Sequence, residues 1–392
     1  MARYAIPIIV IAEFFGTSLW FSANAVAGNL AQAWQLSVSD IGWLTNAVQF
    51  GFIAGTLGVA VSGLADRFAA SRIFAACAVI GAVSNALFAL VAQGLADGLV
   101  YRFVTGVALA GVYPLGMKLV VGWAPQRASE TLAWLVGMLV LGTALPHAVR
   151  GLGAGWPYAP VILTSSALAL VGAVMVEVLG DGPHLQRAAG AARIRLGDVF
   201  IAFREPAFRA SALGYFGHMW ELYAFWTLVP FIVAAVLGTG ATTTSLLAFA
   251  IMAVGAISSV IGGLWSRRVG GARVAAVALA GSGAMCVLFP WIAGSRELAL
   301  VVLFVWGVFV IADSPQFSAL SARACPPALM GSALALQNSI GFFITIVAIA
   351  LASALWPHWG VHVAWLLAPG PVLGLIGFAP LWRGKAVKQV AS

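Results

Sequence analysis

The sequence predicts an all-α integral membrane protein in which twelve transmembrane helices form two pseudo-symmetric six-helix bundles. Three observations predict this fold class: an apolar composition, twelve long apolar runs, and basic residues concentrated in alternate breaks between those runs. Of the 392 residues, 62% are hydrophobic and 8% are charged, whereas soluble domains average about 45–50% and 25%. This composition excludes a disordered chain, a disulfide scaffold and an ordinary cytosolic enzyme.

Each of the twelve apolar runs is long enough to cross the roughly 30 Å hydrocarbon core of a bilayer as a helix. The breaks between them are short and contain charged or turn-forming residues, such as Arg267 and Arg268. The runs, numbered helix 1 to helix 12 in chain order, cover residues 5–29, 41–64, 73–94, 99–122, 131–152, 158–180, 210–236, 244–264, 273–294, 298–322, 331–355 and 361–382.

The basic residues predict the orientation of these helices. Sixteen of the 20 lysines and arginines lie in the N-terminal segment, the even-numbered breaks or the C-terminal tail, and one, Arg296, lies in an odd-numbered break. Lysine and arginine concentrate on the cytoplasmic side, so we predict an inner membrane protein of a bacterial-type cell with both termini in the cytoplasm. The first run resembles a signal peptide, but Glu13 interrupts it, and we expect the helix to be retained.

The longest polar stretch, residues 181–209, divides the chain into an N-terminal bundle of residues 1–180 and a C-terminal bundle of residues 210–392. We expect a cytoplasmic central loop here. Within it, residues 196–203 form either a short amphipathic helix on the membrane surface or part of a solvated linker.

The two halves share a repeat, Gly-x7-Pro-x10-Pro, which begins in helix 4 and again in helix 10 at an offset of 201 residues. Internal repeats with a site between them are typical of secondary transporters. Proline interrupts the hydrogen-bond ladder of a helix, so we predict a hinge at the first proline of each copy. The two copies are Gly106, Pro114 and Pro125, and Gly307, Pro315 and Pro326.

The break between helices 2 and 3 carries a motif with a known counterpart. Its sequence, Gly63-Leu64-Ala65-Asp66-Arg67-Phe68-Ala69-Ala70-Ser71-Arg72, resembles Gly-x-Leu-Ala-Asp-Arg-x-Gly-Arg-Arg of the major facilitator superfamily, with the first glycine displaced by one residue. In helix 4, Arg102-x3-Gly106-x4-Gly111 resembles the second motif of that family. The resemblance implies a central cavity lined by helices 1, 4, 7 and 10, and a cytoplasmic gate latched by Asp66 and Arg67. We also assign Arg127, in the loop after helix 4, to this gate.

Ionisable side chains inside the predicted helices are candidates for the functional site, because a charge at the bilayer centre costs about 2.5–3.5 kcal/mol. The deepest ones fall on helices 1, 4, 7 and 10, which the resemblance places around the cavity. The candidates for substrate binding or proton coupling are Glu13, Asn24, Arg102, Lys118, His218, Glu221, Trp226, Asp313, Gln316 and Gln337.

Two of these helices carry recognisable patterns. On helix 1, a polar or aromatic residue occurs every three or four positions, at Glu13, Thr17, Trp20 and Asn24. This spacing predicts one polar and aromatic face on helix 1. On helix 7, His218 lies three residues before Glu221 and shares its face.

Desolvation disfavours a charged carboxylate in such surroundings. We therefore predict that Glu221 or Glu13, or else Asp313 on helix 10, exchanges the coupling proton and that His218 tunes the carboxylate on its own helix. The alternative is that these carboxylates pair with Arg102 or Lys118 and hold the bundles together. Cys286, in helix 9, is expected to be a small core residue.

The predicted function is secondary active transport of a small solute, coupled to protons, across the inner membrane. Both a small organic anion and an amphipathic drug-like compound remain open as substrates. The sequence has no phosphate-binding loop and no clustered metal ligands, so we expect a protein that is not an enzyme and needs no cofactor or metal. We also expect a monomer that binds no nucleic acid. The alternative is a membrane-bound solute sensor, or an assembly partner, that uses the same scaffold without transport.

Overall fold

The computed structural model describes residues 2–153, 155–185, 202–325 and 329–384, and within them the regular structure is helical. The helices before the central loop are α1 (Ala5–Thr17), α2 (Ser22–Ala25), α3 (Ala27–Trp34), α4 (Val38–Ser62), α5 (Leu64–Arg67), α6 (Ala70–Leu90), α7 (Leu95–Leu109), α8 (Tyr113–Trp123), α9 (Ala128–Leu152) and α10 (Tyr158–Leu179). The helices after it are α11 (Pro206–Leu237), α12 (Ala241–Val269), α13 (Gly271–Ile292), α14 (Arg296–Ala312), α15 (Ser314–Ala324), α16 (Met330–Trp359), α17 (Ala364–Leu367) and α18 (Pro369–Trp382).

Ten helical segments of the described chain are long and apolar enough to cross a membrane. This number differs from the predicted twelve at two places. The first apolar run forms only the short helix α1 before it breaks, and the last segment, Ala333–Trp382, contains both α16 and α18. The protein is therefore an all-helical, multi-pass membrane protein.

Several runs that we predicted as continuous helices are broken in the structure. Helix 1 is interrupted at residues 18–21, helix 4 at residues 110–112, helix 10 at Asp313 and helix 12 near residue 368. Pro114 and Pro315 each lie in the first turn of the helix that follows a break, where the missing N–H would have had no intrahelical partner. These prolines thus begin new helices, whereas proline in a helix interior would kink it.

The sequence repeat has a structural counterpart. The two helices that follow the breaks, α8 and α15, each contain 11 residues and begin and end at positions 201 residues apart. A Cβ atom on Gly106 or Gly307 would overlap the carbonyl oxygen of Val48 in α4 or of Ile251 in α12, respectively. In both halves, therefore, a glycine lets the broken helix approach the backbone of its neighbour.

Helices from before and after the central loop pack directly on each other. The main contacts join α9 to α12 and α4 to α16. The side-chain amide of Asn46 donates a hydrogen bond to the carbonyl oxygen of Ile346, at 3.1 Å, and Gly42 leaves space for the Ser353 side chain. These contacts bring residues of both halves into one buried interface.

The beginning of the central loop is attached to the first half. The carboxylate of Asp181 accepts a hydrogen bond from the backbone N–H of Ser71 at the start of α6, at 2.9 Å. The indole of Trp123 donates to the carbonyl oxygen of Gly180 at 3.2 Å. The amphipathic helix predicted for residues 196–203 falls largely outside the described residues, as do the predicted loop and tail residues Arg187, Arg193, Arg195, Pro326, Lys385 and Lys388.

Candidate functional site

Arg102 stabilises the break in the first apolar run. Its side chain extends from α7 and is fully buried. Atom Nη1 donates to the carbonyl oxygen of Leu19 at 2.9 Å and to Ser22 and Asn85 at 3.1 Å each, and Nη2 donates to the carbonyl oxygen of Trp20. A helix break inside a bilayer needs partners for its freed backbone groups, and this guanidinium supplies them. These bonds end on neutral oxygens, which differs from the carboxylate pairing that we weighed.

Glu13 lies on α1, and its side chain is fully buried. Neither carboxylate oxygen has a hydrogen-bond partner within the described ranges. One of them lies against Gly116 of α8, where an added Cβ atom would come within 2.5 Å of Oε2. The carboxylate is therefore packed against α8, the helix that follows the break at residues 110–112.

The predicted polar face of helix 1 is divided by the break at residues 18–21. Glu13 and Thr17 remain on α1, Trp20 lies within the break and Asn24 lies on α2. The side-chain amide of Asn24 donates to the Thr45 hydroxyl at 2.8 Å. All four predicted residues are buried, but a single helical stripe was the wrong description because the backbone is not helical between them.

Aromatic side chains from both halves meet beside this break. Trp20 stacks on Tyr223 and on Phe342, with 5.7 Å between ring centroids in each pair. Phe52 lies 4.4 Å from Phe342. We call the following set the inter-half aromatic cluster: Trp20, Phe21, Phe52, Tyr223, Trp226 and Phe342. Our sequence analysis assigned only Trp226 of these to the site, and no signal in the sequence linked Phe52 to Phe342.

Buried polar atoms without partners lie in the same interface. Trp20 donates to the side-chain oxygen of Gln49 at 3.3 Å, but the amide nitrogen of Gln49, the indole nitrogen of Trp226 and the side-chain oxygen of Asn24 form no hydrogen bond with any described residue. A buried polar group without a partner costs about 1–3 kcal/mol. These unpaired atoms are therefore candidate hydrogen-bonding groups of the predicted site.

His218 and Asp313 form a buried pair in the second half. Nδ1 of His218, on α11, lies 2.8 Å from Oδ1 of Asp313, and each side chain is only 1% exposed. Asp313 occupies the break between α14 and α15. The imidazole packs against the rings of Tyr215 and Phe317, with centroid distances of 6.1 and 6.2 Å.

Glu221 is bound by three donors on neighbouring helices. Ser282 donates to Oε2 at 2.8 Å, and Trp306 and Cys286 donate to Oε1 at 2.5 and 3.3 Å. The prediction that His218 tunes Glu221 stays a prediction, and the structure pairs His218 with Asp313. Cys286, expected to be a small core residue, is one of the three donors. These donors lie on α13 and α14, so Glu221 points into the packing of the second half.

A comparison with protein families agrees with this architecture. The family model described as Major Facilitator Superfamily matches residues 9–348. The chain belongs to the Major Facilitator Superfamily.

Two curated members of similar sequence are named as transporters. The chain is 33% identical over 129 residues to the niacin transporter NiaP of Acinetobacter baylyi, a match that covers 30% of this chain and 28% of NiaP. It is 27% identical over 180 residues to the putative uncharacterized transporter YgaY of Escherichia coli, covering 42% of this chain and 44% of YgaY. The matched segments thus span less than half of these relatives.

The remaining site candidates of this Major Facilitator Superfamily chain lie in different surroundings. Gln337, on α16, is buried, and its side-chain oxygen has no hydrogen-bond partner in the described part of the chain. Gln316, on α15, is also buried and lies against Gly271 at the start of α13, where a Cβ atom would be 3.0 Å from Oε1. Lys118, on α8, is half-buried. Their roles stay predictions.

Two of the predicted gate residues, Arg67 and Arg127, lie at exposed positions. Arg67 ends the short helix α5 and is exposed, and the side chain of Asp66 lies outside the described part of the structure. Arg127 forms an ion pair with Glu130, three residues away, at 2.6 Å. This hydrogen bond raises the pKa of Arg127 above its ordinary value. The ion-pair partner of Arg127 is therefore a residue in the first turn of α9, directly after it in the chain.

Proposed function

We propose that the protein is a secondary active transporter that moves a small solute by alternating access and couples this movement to protons. The observation that carries the proposal is the inter-half aromatic cluster. Its rings come from both halves and are buried between them. Each half also contains a helix that is broken at an equivalent position, at residues 110–112 and at Asp313. Bending at these breaks would let the halves part on either side of the cluster.

The proposal includes the topology predicted from the sequence. We propose twelve crossings, with α1 to α3 together as the first and α16 and the segment from 361 to 382 as the last two. Residues 1–180 and 210–392 would form the two bundles. The alternation of basic residues supports cytoplasmic termini and an inner membrane location, and we propose a monomer because each half supplies part of the same cluster.

The chemistry around the cluster favours a small, flat organic anion. Indole and phenyl rings stack on planar apolar groups, and the unpaired Trp226 and Gln49 nitrogen atoms are hydrogen-bond donors. Both N–H groups would donate hydrogen bonds to the oxygen atoms of a carboxylate. One relative is named a niacin transporter, and niacin is a small aromatic acid of this kind.

We assign proton coupling first to the His218–Asp313 pair and second to Glu13. Protonation of Asp313 would remove the negative charge that faces His218 at 2.8 Å and free the break between α14 and α15 to change its angle. Glu13 would exchange a proton at the equivalent depth of the first half. Glu221 is held by three donors, and we therefore assign it to the stability of the second half.

The test uses the purified protein in proteoliposomes with radiolabelled niacin, and a panel of other aromatic acids and cationic drugs if niacin is not carried. Counterflow measures exchange, and uptake driven by a pH gradient measures coupling. We expect Asp313→Asn to exchange solute at the wild-type rate but to lose accumulation. One pH unit stores about 1.36 kcal/mol per proton, so the wild type should accumulate solute about tenfold with one coupled proton.

Asp97→Asn is the matched control, because Asp97 is an exposed aspartate at the start of α7. It should behave as the wild type in both assays. Accumulation by Asp313→Asn at the wild-type level would remove Asp313 from the coupling step. A protein that binds solutes in a thermal-shift screen but exchanges none of them would support the sensor alternative and overturn the proposal of transport.

A further inference from the structure

An apolar groove runs along the outer surface between α6 and α10. Its volume is about 670 Å³. The exposed valines Val79, Val174 and Val178 form part of its wall. Both helices are long and apolar enough to span a membrane, so this wall faces lipid acyl chains.

Two opposite charges stand at one end of the groove. Arg72 is the third residue of α6, and Glu177 lies two residues before the end of α10. Both line the groove and both are exposed. Because each lies within one turn of the end of a membrane-spanning helix, the two side chains are at the level of the lipid headgroups.

These charges do not neutralise each other. Neither Arg72 nor Glu177 forms an ion pair or a hydrogen bond with any residue in the described ranges. The start of α6 is instead bound by Asp181, whose carboxylate accepts from the backbone N–H of Ser71. A cation and an anion are therefore both available at the headgroup end of one groove.

We propose that this groove binds a zwitterionic phospholipid with a primary ammonium group, of the phosphatidylethanolamine type. The phosphate would bind Arg72, the ammonium would bind Glu177, and an acyl chain would lie along the groove. From residue 72 to residue 80, α6 rises about 12 Å, which matches the upper half of an acyl chain. An anionic lipid would meet repulsion from Glu177, and a choline group has no N–H to donate to it.

A second groove provides an internal comparison. It lies between α4 and α7, has a volume of about 420 Å³ and is lined by Trp43, Ala47, Phe50, Leu99, Val100 and Phe103. Among the described residues, none that lines it is charged. Such a surface contacts acyl chains without distinguishing headgroups, so headgroup selection is assigned to the groove between α6 and α10.

The test is native mass spectrometry of the full chain released from nanodiscs. The nanodiscs contain equal fractions of phosphatidylethanolamine, phosphatidylcholine and phosphatidylglycerol with identical acyl chains. A charge near the membrane surface changes lipid binding by about fivefold. We expect the ethanolamine lipid to be retained about fivefold above each of the others. Arg72→Gln should lower its retention about fivefold, and Glu177→Gln should make the ethanolamine and glycerol lipids equal.

Three further variants complete the design. Arg296→Gln and Glu297→Gln neutralise adjacent exposed charges at the start of α14 and should leave the preference unchanged. Ala76→Trp fills the groove at an exposed position and should lower retention of all three lipids. Equal retention of the three lipids by the wild type, or a preference that survives both Arg72→Gln and Glu177→Gln in proteins of unchanged thermal stability, would overturn the proposal.

Discussion

Replacement of Glu221 by alanine should destabilise the second half by several kilocalories per mole. The substitution removes the acceptor of the Trp306 indole, the Cys286 thiol and the Ser282 hydroxyl. The hydroxyl can turn to the carbonyl oxygen of Leu279, which lies 3.2 Å away, but the indole N–H loses its partner. An unpaired buried donor costs about 1–3 kcal/mol, and a cavity of this size costs about 2–5 kcal/mol. We expect a total of about 3–5 kcal/mol, since the loss of a desolvated carboxyl group offsets part of the sum.

Replacement of Glu221 by glutamine separates this structural role from proton coupling. A glutamine carbonyl can accept from Trp306 and Cys286, and its amide can donate to the Ser282 hydroxyl. The variant should therefore lie within about 1 kcal/mol of the wild type. The assay is the fraction of monodisperse protein that remains after heating in detergent, with Glu297→Ala as an exposed control. In proteoliposomes, Glu221→Gln should retain both counterflow and accumulation driven by a pH gradient.

Two results would refute this reasoning. If Glu221→Ala were as stable as the wild type, the three hydrogen bonds would not stabilise the packing of α11 on α13 and α14. If Glu221→Gln kept its stability and counterflow but lost accumulation, Glu221 would be the coupling residue, and the assignment to Asp313 would be wrong.

Two further substitutions test other parts of the site. Gly116→Ala should preserve thermal stability, because alanine is about 1 kcal/mol better than glycine in a helix, but it should slow pH-driven uptake by displacing the Glu13 carboxylate. Gly58→Ala, which meets no atom within 4 Å, is its control, and equal uptake by both would contradict the contact. Arg102→Met should lower stability by about 1–3 kcal/mol for each buried oxygen left without a donor and should lower counterflow with it, because the break that carries Trp20 loses the hydrogen bonds of this guanidinium. An unchanged melting temperature would show that this guanidinium is dispensable.

The sequence pattern predicts the membrane-spanning segments well because apolar runs and charge placement are one-dimensional signals. Most predicted helix ends agree with the structure to within a few residues. The breaks at Pro114 and Pro315 were also predictable, since proline marks them locally. The break at residues 18–21 was not, because it contains no proline. It depends on Arg102, a donor more than 80 residues away in the sequence.

The partners of the buried charges were less predictable than their burial. Helical spacing correctly puts His218 and Glu221 on related faces of one helix, but their partners lie on other helices. Asp313 is 95 positions after His218, and Trp306 is 85 positions after Glu221. Helical periodicity identifies which residues share a face, but it contains no information about which side chains of other helices meet them. The same limit applies to the inter-half aromatic cluster.

The repeated backbone carries different chemistry in its two copies. At the offset of 201 residues, Asp313 corresponds to Val112, and His218 corresponds to Thr17. The second break therefore contains an aspartate paired with a histidine, whereas the first contains only valine at the equivalent position. The first half instead has Arg102, which holds a break in another helix. Protonation of Asp313 would thus act within the second break itself, whereas protonation of Glu13 would act beside the first break, on the helix α8 that follows it.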